Sequence, residues 1–281
     1  MNKLLVQMQG SPRDPSYDEQ GIFLGDEKVS FREFFSRQGI QPLEETLVTS
    51  CHGNLDLTVA LARQIQQLAD EGHHVVGMAQ GGLYFALPGL VAAQAPTVPF
   101  VSVPLKGDHY NGLTPFLGAQ LPTGTAAIGS VGVGKYQVAV NVAAAMLKGE
   151  FEGVYVHNLS DKGLEKLAEL GVPILGEASE SLESGLVVAA LNITGQVREY
   201  GDLTIFAPDS HKQPSTLMGY CADANKSVYT RGDVNAAILA AKVIAMGDLG
   251  VVQALKDAAK DKAAGYKQRT ITLDAFGGEL E

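Results

Sequence analysis

Short apolar runs alternate with amphipathic stretches along this chain. Lys3–Met8, Glu45–Thr49, His74–Met78, Val98–Val103 and Ala126–Val131 read as strands. Between them lie helical patterns. Ser30 is placed as an N-cap ahead of a helix over Phe31–Arg37, with Gly39 as its stop. Asp56–Ala69 carries Leu57, Val59, Ala60, Ala62, Ile65 and Leu68 on one face, and Gly72 follows as a C-cap. Tyr136–Leu147 repeats the pattern. The second half does the same, with strands expected at Val154–Val156, Val172–Leu175, Leu186–Ile193, Leu203–Ala207 and Val228–Tyr229, and helices at Lys162–Leu170 and Val234–Ala245. Strands alternating with helices of this length predict a parallel sheet covered on both faces. A last amphipathic segment, Leu249–Tyr266, reads either as a solvated surface helix or as one that clasps a neighbouring subunit. Asp248 and Gly250 mark the turn before it.

The two halves echo one another. Ser130–Met146 reads SVGVGKYQVAVNVAAAM and Ser227–Met246 reads SVYTRGDVNAAILAAKVIAM. Each is a strand, a Gly-containing turn and an Ala-rich helix with an Asn. Either the second half is a degenerate copy of the first, or two Ala-rich helices simply look alike.

Composition narrows the class. The chain has 281 residues, 46% apolar and 19% charged, enough to build a core. With 21 Lys and Arg against 31 Asp and Glu the net charge is −10, which argues against a nucleic-acid partner. A small phosphorylated ligand stays compatible, because it needs only a cation or two and some backbone N–H groups. Two cysteines, Cys51 and Cys221, make no disulfide framework. The uncharged stretch Gly82–Leu105 is broken by Pro88, Pro96, Pro99 and Pro104, so a membrane helix is not expected there. These features predict a soluble, cytoplasmic protein.

Ligands of open parallel sheets collect at the carboxyl ends of the strands, and three loops of the first half sit there. Gly10-Ser11-Pro12-Arg13-Asp14 follows the first strand and offers N–H groups, a hydroxyl, a guanidinium and a carboxylate, although it also fits an ordinary turn. Thr49-Ser50-Cys51-His52-Gly53-Asn54 precedes a helix; His52 suits a general acid or base, and equally a helix-capping surface residue. Adjacent side chains on an extended segment face opposite ways, so Cys51 is expected to pack inward. Ala79-Gln80-Gly81-Gly82 lets a backbone approach a ligand closely, and the apolar residues after it would make a dry wall. His73, His74, His109 and His157 have no ligand spacing for a metal, and neither a P-loop nor a GxGxxG turn is present.

Taken in order, these loops resemble the PurE family, the aminoimidazole ribonucleotide carboxylases and carboxyaminoimidazole ribonucleotide mutases of purine biosynthesis. The family's GSxSD matches GSPRD at Gly10–Asp14, and its SAHRTP matches SCHGNL at Ser50–Leu55. Its AGGAAHLPG matches AQGGLYFALPG from Ala79, and its VPV strand, GLDSLLS segment and MPxG match Val103–Leu105, Gly112–Gly118 and Leu121–Gly124. The family's Ala-rich and charged C-terminal helices fit Asn235–Lys267 better than the end of the first half.

The resemblance implies flavodoxin/Rossmann-like three-layer α/β units in tandem. A first unit over residues 1–150 would hold the site, and a second, degenerate unit over 151–281 would carry the clasping helix. It implies carboxyl transfer on an aminoimidazole ribonucleotide or a related heterocycle, with carbon dioxide as co-substrate and no metal or organic cofactor; a non-catalytic nucleotide-binding paralogue is the alternative. His52 would move the proton. Ser11, Arg13 and Asp14 would hold phosphate and ribose, Ser50, Gly81 and Gly82 would line the ring and carbon dioxide pocket, and Asn54 would also bind substrate. A homo-oligomer follows, a tetramer first and a dimer second.

Three departures stand out. The family Arg after the catalytic His is Gly53 here, Arg13 takes the place of the second Ser of GSxSD, and Ala86 replaces the His of AAHLPG. A cation from the second unit, Lys212 or Arg231, would then complete the site; SHKQP around His211 is the second unit's own candidate loop, but with its Gly-Ser and Gly-Gly loops missing that second site would be altered or lost.

Overall fold

The computed structural model describes residues 1–82, 85–106, 112–120, 123–179, 181–191, 199–208 and 224–265. The first half holds β1 (Lys3–Gln9), the hairpin β2 (Ile22–Leu24) and β3 (Glu27–Val29), α1 (Phe31–Ser36), β4 (Gln41–Pro42), β5 (Leu47–Val48), α2 (Leu55–Asp70), β6 (His74–Gly81), α3 (Leu87–Gln94), β7 (Phe100–Pro104), α4 (Leu113–Gln120), β8 (Gly129–Ser130) and α5 (Tyr136–Lys148). The second holds β9 (Val154–His157), α6 (Asp161–Glu169), β10 (Ile174–Glu177), β11 (Leu186–Leu191), β12 (Leu203–Pro208), β13 (Ser227–Tyr229), α7 (Gly232–Ile244) and α8 (Leu249–Gly265).

All strands but the hairpin form one 11-stranded sheet in the order β10-β9-β11-β12-β13-β8-β7-β6-β1-β4, with β5 also on β1. Neighbours pair in parallel, save β13 and β8, which meet antiparallel at Tyr229 and Ser130. Each half, read from its own first strand, has the order 2-1-3-4-5. This is a layered α/β fold of the flavodoxin/Rossmann-like class.

Side-chain alternation sorts the core. On β1 and β6, Leu4, Val6, Met8, Val75 and Ala79 join Ala62 and Ile65 of α2 and Val91 and Ala92 of α3 in one apolar cluster. Leu5, Val76 and Met78 join Tyr17, Phe31, Phe35 and α5 in another, which continues through the second half. Gly77 and Phe100 are register partners, and a Cβ on Gly77 would fall 2.1 Å from the Phe100 ring. The glycine is therefore the seat for that ring.

Several expected elements change extent. Pairing after Pro42 lapses until Leu47, so the strand expected over Glu45–Thr49 is only β5. Pro42 has no N–H for the ladder, and Leu43 N–H already closes on Leu5 O at 3.0 Å. Ala126–Val131 yields only β8, because Gly124 at φ +63° starts a 3-10 turn over Gly124–Ala126. On α2 the fully buried stripe is Thr58, Ala62 and Ile65, while Leu57 stands 43% exposed. Ser30 caps α1 through Glu33 N–H at 3.2 Å, as its sequence predicts.

The C-terminal helix is not purely solvated, because one face of it packs on its own chain. Val251 and Leu255 are buried, Lys256 Nζ pairs with Asp70 Oδ1 of α2 at 2.8 Å, and Lys262 Nζ donates to Thr123 O at 2.6 Å. It folds back over the first half of its own chain. Among the described residues no helix is long and apolar enough to cross a membrane.

Candidate functional site

Hydrogen bonds across the sheet draw three loops together at the ends of β1, β5 and β6. Thr49 N–H donates to Gln9 O at 2.9 Å, which sets Ser50 beside Gly10. Gly10 N–H donates to Gln80 O at 3.0 Å, which sets Ser11 beside Gly81. The result is a cleft of about 170 Å³. Gly10, Ser11 and Asp14 line it from the first loop, Ser50, Cys51 and His52 from the second, and Gly81, Gly82, Phe85, Ala86 and Leu87 from the third.

The first loop is held from below. Gln9 and Gln80 are cross-strand partners, both buried. Gln9 Nε2 donates to Pro15 O at 2.9 Å and Asp14 O at 3.2 Å, and Gln80 Nε2 donates to the same Pro15 carbonyl. The Tyr136 hydroxyl of α5 donates to Gln80 Oε1, and Tyr17 OH donates to Met8 O and Met78 O at 3.0 and 3.1 Å. Burial pushes both phenols up, so they remain donors. Above this layer, Ser11 N–H donates to Asp14 Oδ2 at 3.0 Å. Burial raises the Asp14 carboxyl, against the N–H groups of Ser11 and Gly10 that favour its charge.

The second loop is a turn. Gly53 N–H donates to Ser50 O and Oγ at 3.1 and 3.2 Å, and Asn54 N–H to Ser50 O at 2.7 Å. That turn overrides the expected alternation. Cys51 does not pack inward; it lines the cleft with His52, its Sγ 3.6 Å from His52 Nδ1. Burial pushes the Cys51 thiol up, so the sulfur keeps its proton. The third loop is tight: a Cβ on Gly81 would lie 2.4 Å from the Phe85 ring, whereas Gly82 has open space.

Six of the eight residues singled out in the sequence thus share one cleft: Ser11, Asp14, Ser50, His52, Gly81 and Gly82. Two do not line it. Asn54 spends its side chain as the N-cap of α2, accepting from Leu57 N–H at 3.0 Å. Arg13 is exposed, with its backbone N–H on Ser11 Oγ at 3.1 Å. Among the described residues no Lys or Arg lines the cleft. A comparison with protein-family models and with curated proteins found no match for this chain. Arg231 is the exposed N-cap of α7, while His109, His211, Lys212 and Cys221 lie outside the described residues. Among the described residues no three of His, Cys, Asp and Glu gather as metal ligands.

Sequence reasoning missed Gln9 and Gln80 as supports, while Phe85 and Leu87 supply the apolar wall expected after the paired glycines. The signal for the first pair was present: two polar residues at the ends of otherwise apolar strands, which stay buried only if hydrogen-bonded.

Proposed function

We propose that this chain is an enzyme of the PurE kind. It moves a carboxyl group between the exocyclic nitrogen and a ring carbon of an aminoimidazole ribonucleotide or a related heterocyclic ribonucleotide, or adds carbon dioxide to that carbon directly. One observation carries the reading: three separate loops, in the order of that family's motifs, bring Ser11, Asp14, Ser50, His52, Gly81 and Gly82 to a single cleft at the strand ends.

The chemistry asks little of the protein. The ring carbon of an aminoimidazole is an enamine terminus and is already nucleophilic. The site must hold the nucleotide, keep carbon dioxide from water, and move one proton. The N–H groups of the first loop are spent within the protein, so the Ser11 hydroxyl is the group that suits a phosphate, and Asp14 suits a ribose diol. Phe85 and Leu87 provide an apolar wall. His52 is the proton carrier, since imidazole gives and takes protons near neutral pH.

A non-catalytic nucleotide-binding relative of the same family is the second reading. It draws on the lack of a cation among the described lining residues and on Gly53 and Ala86 where the family has Arg and His. Calorimetric titration with aminoimidazole ribonucleotide, followed by a turnover assay, separates the two. The enzyme reading expects binding and turnover, with His52→Asn binding normally and turning over about 100-fold or more slowly. Binding without turnover selects the second reading, and no binding rejects both.

The tandem arrangement, units over 1–150 and 151–281, is part of the proposal. The repeated strand order of the two halves supports it, as does the placement of the Ser130–Met146 and Ser227–Met246 echo on the last strand of each half and the helix that follows it. A homo-oligomer, a tetramer before a dimer, is drawn from the same family, whose single units form octamers. Exposed Val48, Leu55 and Leu57 beside the cleft suit a subunit contact.

A further inference from the structure

His52 has a neighbour that the family motif does not supply. SAHRTP has Ala before its His; this chain has Cys51. The turn at Ser50–Asn54 swings both side chains into the cleft and leaves Cys51 Sγ 3.6 Å from His52 Nδ1, within hydrogen-bonding reach of sulfur. Among the described residues Cys51 is the partner of Nδ1, and Nε2 has none.

We infer that Cys51 is a positioning residue, its sulfur accepting the Nδ1–H of His52 so that the neutral ring presents the Nε2 lone pair to the cleft. The inference rests on the proton-carrying role proposed for His52. A ring that exchanges a proton at Nε2 keeps its other proton on Nδ1 in both the neutral and the charged state. That N–H needs an acceptor, and which nitrogen is protonated is set by the bond the other one makes. Free histidine prefers the opposite tautomer, with the proton on Nε2, so an acceptor at Nδ1 must reverse the preference. In many acid/base sites a carboxylate takes this post. Here the other titratable group of the cleft, Asp14, has its Oδ2 on Ser11 N–H, and the sulfur stands next to the ring. A thiol held neutral by burial leaves its lone pairs as a weak acceptor and is a poor nucleophile. Cys51 therefore orients the imidazole and does not attack the substrate.

The test is nitrogen NMR of the His52 ring in the full chain, without ligand, at a pH where the ring is neutral. The wild-type ring is expected to show a pyrrole-type Nδ1 and a pyridine-type Nε2. Cys51→Ala should reverse the majority tautomer, and Cys51→Ser, which restores an acceptor, should bring it back. A wild-type ring protonated mainly on Nε2 overturns the inference by itself, and so does a Cys51→Ala spectrum identical to wild type. Where turnover is present, Cys51→Ala should lower kcat about tenfold with KM unchanged, and Cys51→Ser should recover most of it. If the tautomers behave as expected while His52→Asn retains full turnover, the orienting contact stands and the proton-carrying role falls.

Discussion

Gln9 and Gln80 face each other across β1 and β6, and both donate to one carbonyl, that of Pro15. This shared acceptor fixes the loop that brings Ser11 and Asp14 to the cleft. The Tyr136 hydroxyl closes the arrangement on Gln80 Oε1, so α5 also holds the loop. Replacing Gln80 with Leu strands a buried phenol. The expected cost is about 1–3 kcal/mol of stability, the scale of an unsatisfied buried polar group. Denaturant melts should show it, together with weaker ribonucleotide binding. A variant as stable as wild type, with unchanged binding, would mean that the loop is held elsewhere.

The two glycines of the third loop should respond differently. Gly81→Ala puts a methyl group 2.4 Å from the Phe85 ring, which is buried and cannot step aside cheaply. Overpacking of this kind costs about 1–3 kcal/mol. Gly82→Ala meets nothing within 4 Å among the described residues and has no positive φ, so it should melt like wild type. Because Gly82 also lines the cleft, its methyl group should still narrow the site for a ligand. Paired thermal melts and titrations check both; equal melting temperatures for the two variants would contradict the Phe85 contact.

Periodicity carried the fold a long way, and the reason is physical. Strands buried on both faces, such as His74–Gly81, read as unbroken apolar runs, and amphipathic helices such as α6 show their stripe directly. The hairpin Ile22–Leu24 and Glu27–Val29 and the two-residue strand β4 were not legible, because such short segments have too few residues to display a period. The cleft was legible where backbone and small polar residues follow a strand. Cys51 was misjudged because alternation holds only for extended chain, and the Ser50 hydrogen bonds fold that segment into a turn. Asn54 stands outside the cleft for a related reason: as a short polar residue just before a helix it turns its side-chain oxygen to the cap of α2.

The intrachain packing of α8 changes what truncation should do. Ending the chain before Asp248 removes buried Val251 and Leu255 and the contacts of Lys256 with Asp70 and Lys262 with Thr123. If α8 clasped another chain, the assembly would fall apart. Since its buried face packs on its own chain, the expected result is a lower melting temperature with the oligomeric state unchanged by light scattering. The proposed tetramer should therefore survive truncation. A truncated monomer from an oligomeric full chain would restore the intersubunit clasp.

Lys242 gives the sharpest pH dependence. It is fully buried on α7, its Nζ has no hydrogen-bond partner among the described residues, and burial pushes the amine down to about 7 from 10.5. In the unfolded chain the amine holds its proton to near its ordinary value, whereas the folded protein releases it around neutrality. Between those limits the unfolded state binds more protons, so this residue makes stability rise with pH. Below about 7 both states are charged, and the full cost of a buried ammonium is present. Lys242→Met keeps the length of the side chain and removes the charge. It should stabilise the protein by on the order of 3–5 kcal/mol at acid pH, given 1.36 kcal/mol per pKa unit. The gain should shrink steadily as pH climbs toward 10. Melting temperatures of both proteins across that range test the claim; a difference that does not vary with pH would show that the amine keeps its proton in the fold.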